Sequence, residues 1–241
     1  MDKSKYTYER EVDAHDTDPY DILRPSACLR YMQTAANLQL HTFGPTSDEL
    51  RASGRAFVLT RVSLDFPLPL HAYETVTAES FALESRGFLF GRCFRLSRGE
   101  DTCVLGESVW ALIDIETHKP QSVSSFKAGF ETHEPPHARL PMRFLMPQDE
   151  HFEAVGDYRV TYDRVDANRH MNNTNYPDML AEFLPMEQKR VRHMILNFQR
   201  EAPAKQTLSV YRAMIGDTYY FRTLREDGTV NIEAEVTLCD L

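Results

Sequence analysis

Residues 166–176 read Asp-Ala-Asn-Arg-His-Met-Asn-Asn-Thr-Asn-Tyr, an acid, several amides and an imidazole within eleven positions between two apolar segments. Side chains of an extended segment alternate faces with a period of two, so Asp166, Asn168 and His170 are expected to share one face. Such a trio can hold a water, steer its proton and fix the tautomer of the imidazole. Asn173 or Thr174 is expected to cap a helix running through Tyr176, Met179, Leu180 and Phe183. Pro177 fits in its first turn, where amides lack intrahelical partners. The start of that helix would aim backbone N–H groups at whatever the trio binds. An Asx-rich turn serving only as a local cap is the plainer alternative.

The elements that must carry this corner follow from pattern. After a strand over Tyr6–Asp13 and a turn containing Asp16, Asp18 and Asp21, a helix is expected from Pro25 or Ser26. Its apolar positions, Ala27, Cys28, Tyr31, Met32, Ala35, Ala36 and Leu38, recur at helical spacing up to Gly44-Pro45. A short capped segment at 47–53 and strands near 56–66, 74–85, 88–98 and 103–115 follow, as in an antiparallel meander. From Glu116 to Gly156 prolines at 120, 135, 136, 141 and 147 mark a linker. Beyond it the order begins again, with a strand at 158–162, the polar corner, a short helix, and extended runs at 190–200, 207–215, 218–225 and 229–238. Setting Asp16 against Asp166 puts Tyr20 opposite His170, so two copies of one unit are expected, only the second with the histidine.

Composition narrows the function classes. Of 241 residues, 42% are hydrophobic and 26% charged, the balance of a globular protein. The net charge of -9 argues against nucleic acid as a partner. With no stretch approaching the roughly 18 apolar residues of a span and no apolar segment at the N-terminus, no membrane association is expected and the expected location is cytoplasmic. Cys28, Cys93, Cys103 and Cys239 form no CxxC and fit free thiols in a reducing compartment. His133-Glu134-Pro135-Pro136-His137 has the letters of the HExxH zinc motif, but two consecutive prolines preclude the helix that would place both histidines on one face. No metal and no cofactor are expected.

A helix wrapped by a curved antiparallel sheet, present twice, is the double hotdog arrangement, of α+β class. With it the sequence resembles the acyl-acyl carrier protein thioesterases of plants and bacteria, whose signature runs D-x-N-x-H-x-N-N-x-x-Y and is followed by a strand ending in R-E-C or a variant. Asp166, Asn168, His170, Asn172, Asn173 and Tyr176 stand in register with it, followed by Phe198-Gln199-Arg200-Glu201-Ala202. Looser similarity extends through Arg61-Val62, Gly91-Arg92 and the run from Ser108 to Asp114. Ala202 stands where many plant members have a cysteine once assigned as nucleophile, so a thiol mechanism at that position is excluded.

The resemblance implies hydrolysis of a fatty acyl-acyl carrier protein to free fatty acid and carrier protein, ending fatty acid synthesis. Catalytic residues would be Asp166, Asn168, His170 and Glu201, with Glu201 or Asp166 as general base on a water. Asn173 and Thr174 would bind the thioester carbonyl, and Met32, Ala36 and Trp110 would line an acyl tunnel. The division expected is residues 1–118 for acyl binding, 119–156 as linker and 157–241 for catalysis. Lys189, Arg190, Arg192, Arg200, Lys205 and Arg212 lie close in sequence to the site and suit either steering of an acidic carrier or a solvated face of the sheet. A hotdog enzyme acting on acyl-CoA and a silent acyl-binding module are the alternatives, and a homodimer is among the assemblies open to the chain.

Overall fold

The computed structural model describes residues 2–241 and divides them into two compact units, one of residues up to Leu23 with Ala27–Leu140, the other of Arg24–Ser26 with Pro141–Leu241. In the first unit β1 (Lys5–Glu11) is followed by helix α1 (Pro25–Phe43), helix α2 (Ser47–Ala52) and strands β2 (Arg55–Asp65), β3 (Thr75–Ala82), β4 (Leu89–Arg98) and β5 (Asp101–Asp114). Pro25 opens α1, where its missing N–H costs nothing, and Gly44 at φ 63° closes it, its N–H returning to the Leu40 carbonyl. α1 buries Ala27, Cys28, Tyr31, Met32, Ala35 and Ala36 against the sheet. Each large apolar side chain so buried contributes about 1.5–3 kcal/mol. Gly106 on β5 permits the closest approach, since a Cβ there would lie 2.8 Å from Met32 Sδ.

The strands pair antiparallel in the order β1-β3-β4-β5-β2. The second unit, with β6 (Glu153–Arg159), α3 (Tyr176–Ala181), β7 (Lys189–Phe198), β8 (Thr207–Ile215), β9 (Thr218–Leu224) and β10 (Val230–Asp240), pairs as β6-β8-β9-β10-β7. The two orders are the same, unit for unit, and are those of a duplicated hotdog. The second helix is not long, however. α3 has six residues, because Pro185 closes off helical geometry soon after it. The strand expected at 158–162 begins earlier, at Glu153, and the chain turns through a 3-10 segment at Tyr162–Arg164.

Hydrogen bonds correct the register of the duplication. The Asp18 N–H donates to the Ile22 carbonyl at 2.8 Å as the Asp166 N–H does to His170 at 3.0 Å. Asp21 and Arg169 share positive φ, at 59° and 67°. Leu23 N–H meets the Leu70 carbonyl as Met171 N–H meets that of Ala202. The counterpart of Asp166 is therefore Asp18, not Asp16, that of His170 is Ile22, not Tyr20, and that of Glu201 is Pro69. Asp16 serves another purpose, accepting from Arg30 at 2.7 Å and from Tyr31 Oη at 2.8 Å to lock α1.

The proline-rich stretch expected to be a linker over 119–156 is divided between the units. Up to Leu140 it is strapped to the first, where Phe126 and Phe130 pack on the cluster of Leu40, Leu50 and Leu112 and the His133 N–H donates to the Ala82 carbonyl. Arg139 Nε reaches the buried Glu107 carboxylate at 2.8 and 2.9 Å. The HExxH letters fall in this strap and form no helix. The Nδ1 atoms of His133 and His137 instead face the carbonyls of Glu134 and Ala138.

Candidate active site

Residues 166–170 do not run extended. Val165 bridges to Met171, the chain doubles back, and the positive φ of Arg169 makes the reversal possible. Asp166 governs this loop. Its Oδ1 accepts from the Asn168 N–H at 2.8 Å, and its Oδ2 lies 3.4 Å from Asn168 Nδ2 and 3.3 Å from Asn172 Nδ2. Its carboxylate makes no hydrogen bond to His170, so the three side chains do not share one face of an extended segment as expected.

His170 faces a different acid. Its Nε2 stands 3.7 Å from Glu201 Oε1, brought there because His170 bridges to Pro203 and the Met171 N–H donates to the Ala202 carbonyl at 2.7 Å. Both side chains remain open to solvent, 37% for His170 and 59% for Glu201. The loop 199–202 that presents Glu201 follows β7, and its Gln199 and Arg200 N–H groups both donate to the carbonyl of Asn231 on β10, at 2.9 and 3.1 Å.

The cap also differs from expectation. Asn172, not Asn173 or Thr174, caps the 3-10 turn Asn173–Asn175 that runs into α3, its Oδ1 accepting from the Thr174 N–H at 2.9 Å and from Thr174 Oγ1 at 2.7 Å. Thr174 is buried and its donors are spent. Asn175 donates its N–H to the Asn172 carbonyl, and its Nδ2 to that of Arg164. Of the three N–H groups in this turn, that of Asn173 is left for an incoming acceptor. Asn172 is thus a residue that site prediction from sequence passed over, although its Asn-Asn-Thr setting before an apolar run is a capping signal.

The remaining candidates divide by unit. Met32 and Ala36, four apart on one face of α1, are buried, and Trp110 stands on the strand face shared by Gly106 and Leu112, its Nε1 donating to Ser108 Oγ at 2.8 Å. Of the basic residues near the corner, Arg212 is taken up by Glu153 and the Phe183 carbonyl, and Lys189 by Asp240. Arg200 and Lys205 are exposed on either side of Glu201. Among the described residues no group of three or more acidic, histidine or cysteine side chains is gathered so as to hold a metal ion.

Comparison with known proteins bears on the whole arrangement. The chain superposes on an acyl-ACP thioesterase from Bacteroides thetaiotaomicron with a TM-score of 0.89 at 18% identity, covering 99% of this chain and 100% of that one. It superposes on a 12:0-ACP thioesterase from Umbellularia californica with a TM-score of 0.85 at 14% identity, covering 100% and 99%. At such identities the likeness establishes the double hotdog fold. No curated protein sequence matches. Residues 148–237, which contain the Asx loop, His170, Glu201 and the strands that position them, match the family model described as the acyl-ACP thioesterase C-terminal domain.

Proposed function

We propose that the protein hydrolyses fatty acyl-acyl carrier protein to free fatty acid and carrier protein, with Glu201 as general base and His170 as its partner. The observation that carries this reading is the approach of His170 Nε2 to Glu201 Oε1 at 3.7 Å beside a loop fixed by Asp166, within the region matched by the family model. Glu201 takes a proton from a water, whose oxygen attacks the thioester carbonyl carbon. Asn168 Nδ2 and the Asn173 N–H stabilise the resulting oxyanion. As the intermediate collapses the carbon–sulfur bond breaks, and the proton held by Glu201 passes through His170 to the departing sulfur. Thiolate leaves readily, so little acid assistance is required. Asp166 is preferred as organiser rather than base because its two oxygens already face the backbone N–H of Asn168 and the amides of Asn168 and Asn172.

The first unit, on this reading, holds the acyl chain along the α1 face, where the flexible Met32 side chain gives way beside Gly106 and Ala36 and Trp110 line the remainder. Arg200 and Lys205 attract the acidic carrier. The free thiols of Cys28, Cys93, Cys103 and Cys239 support a reducing, cytoplasmic setting in fatty acid synthesis. The test is a release assay with acyl-ACP and acyl-CoA of matched chain lengths. A kcat/KM at least about tenfold higher for the carrier-protein thioester is expected. Preference for CoA would give the reading to a CoA thioesterase, and no hydrolysis of either to a binding module.

A further inference from the structure

Asn231 is fully buried in β10, a place where asparagine is uncommon because its polar ends need partners there. A β-bulge puts it there. Val230 pairs with Leu224 and Ile232 with Thr223, leaving Asn231 over, and bulges of this kind re-aim a side chain. Its side chain and its carbonyl are both engaged. Its Nδ2 donates to Tyr176 Oη at 3.0 Å and to the Arg200 carbonyl, its Oδ1 accepts from Thr223 Oγ1 at 3.0 Å, and its own carbonyl accepts from Gln199 and Arg200. The orientation of the amide follows from its neighbours. Thr223 Oγ1 accepts from the Ile232 N–H, so its proton points at Oδ1, and the Arg200 carbonyl can only accept, so Nδ2 must face it.

The duplication supplies an internal comparison. In the first unit Thr102 pairs with Ser97 and Val104 with Leu96, leaving Cys103 over in the same bulge, and the Leu68 N–H donates to its carbonyl as that of Arg200 does to Asn231. The backbone latch is thus common to both copies. The side-chain latch is not, because in the register fixed by the hydrogen bonds Asn231, Tyr176 and Thr223 correspond to Cys103, Cys28 and Leu96, all buried and none of them an amide or a phenol. The copy with the apolar set has Pro69 and Ile22 where the other has Glu201 and His170. Tyr176 also opens α3 directly behind the turn capped by Asn172, so the amide ties the Asx corner to the segment that presents Glu201. Burial pushes the Tyr176 phenol up to about 12, and the charge of Glu201 adds to the shift.

We propose that Asn231 is a positioning residue for thioester hydrolysis, holding the Arg200 carbonyl with the help of Tyr176 so that the next residue, Glu201, is aimed at His170. The inference rests on Glu201 and His170 being the reacting pair. Freeing the Arg200–Glu201 peptide lets the carboxylate drift, and a misplacement of about 1 Å can cost on the order of 10²-fold in rate. The experiment compares Asn231→Ala, Tyr176→Phe, Glu201→Gln and the double variant Asn231→Ala, Glu201→Gln in acyl-ACP release, with melting temperatures recorded and kinetics measured well below them. Expected are a fall in kcat of about 10- to 100-fold for Asn231→Ala, a smaller fall for Tyr176→Phe, and KM within about threefold. The kcat pH profile of Asn231→Ala should shift on its acid side, and the double variant should be no slower than Glu201→Gln. A lowered melting temperature with wild-type kcat, or a double variant slower by the full factor of Asn231→Ala, overturns the positioning role. If Asn231→Ala does not fold, Tyr176→Phe with wild-type kcat and pH profile overturns it. Wild-type turnover by Glu201→Gln would sink the reading of the site instead.

Discussion

Replacing His170 and Glu201 should separate catalysis from stability. Their contact is 3.7 Å and both side chains are in water, 37% and 59% exposed, so the pair resembles a surface ion pair worth about 0.2–1 kcal/mol to folding. On the proposed mechanism, acid-base partners supply roughly 10²- to 10⁴-fold in rate, or about 3–5 kcal/mol of barrier at 1.36 kcal/mol per decade. His170→Ala and Glu201→Ala should therefore melt close to the wild type while kcat falls by that factor and KM moves little. Because either loss disables the same water, the double variant should fall little below the worse single one. Asp166→Asn should damage release by loosening the loop, since an amide puts one donor where Asn168 and Asn172 need an acceptor. The assay is single-turnover release of fatty acid from purified acyl-ACP with parallel thermal melts. Near-wild-type release by a folded His170→Ala, Glu201→Ala protein would refute the mechanism, and single losses that multiply in full would refute the shared water.

Release should survive chelators and the change of both His133 and His137 to alanine; loss of activity together with bound zinc would contradict this. Burial raises the thiols of Cys28, Cys93 and Cys103, Cys93 to about 12, so none is a ready nucleophile, and a folded variant without cysteines should turn over within about tenfold of wild type. Asp16 is pushed up by burial, but the hydrogen bonds from Tyr31 and Arg30 outweigh this and hold it below the usual carboxylate range. A depressed folded-state value stabilises above the unfolded-state value near 4 and is lost as pH falls through the folded one. Asp16→Asn should thus lower stability by about 1.5–3 kcal/mol at neutral pH, with the gap in melting temperature closing as pH falls below about 4. A gap independent of pH would show that Asp16 is not charged in the folded protein.

The letters of the corner carried much of the candidate site. Asp166, Asn168 and His170 are recognisable because few other needs gather an acid, an amide and an imidazole, and Glu201 became legible through the family's strand-end pattern. What the letters concealed was geometry carried by the backbone. Two aspartates two apart, Asp16 and Asp18, offer two plausible alignments, and only the positive φ of Asp21 and the bond from Asp18 to Ile22 choose between them. Asn231 looked like an ordinary polar residue in a strand because a bulge leaves no mark in composition. The short α3 was foreshadowed by Pro185, whereas the strap was not, because prolines that bar regular structure say nothing about what the irregular chain lies against.

That strap determines where the chain can be divided. A cut near residue 118 would strip Phe126 and Phe130 from Leu40, Leu50, Leu112, Phe57 and Phe90 and would leave the buried Glu107 carboxylate without Arg139. The resulting piece would present bare apolar surface and an uncompensated charge, and would clump rather than stay dispersed. A cut after Leu140 keeps these contacts with their own half. Gly129 shows how closely the two layers fit, since a Cβ at this position would lie 1.7 Å from the Phe43 carbonyl oxygen. Exchange of first units between related proteins should accordingly carry residues up to Leu140 as one piece, so that the recipient inherits a finished surface.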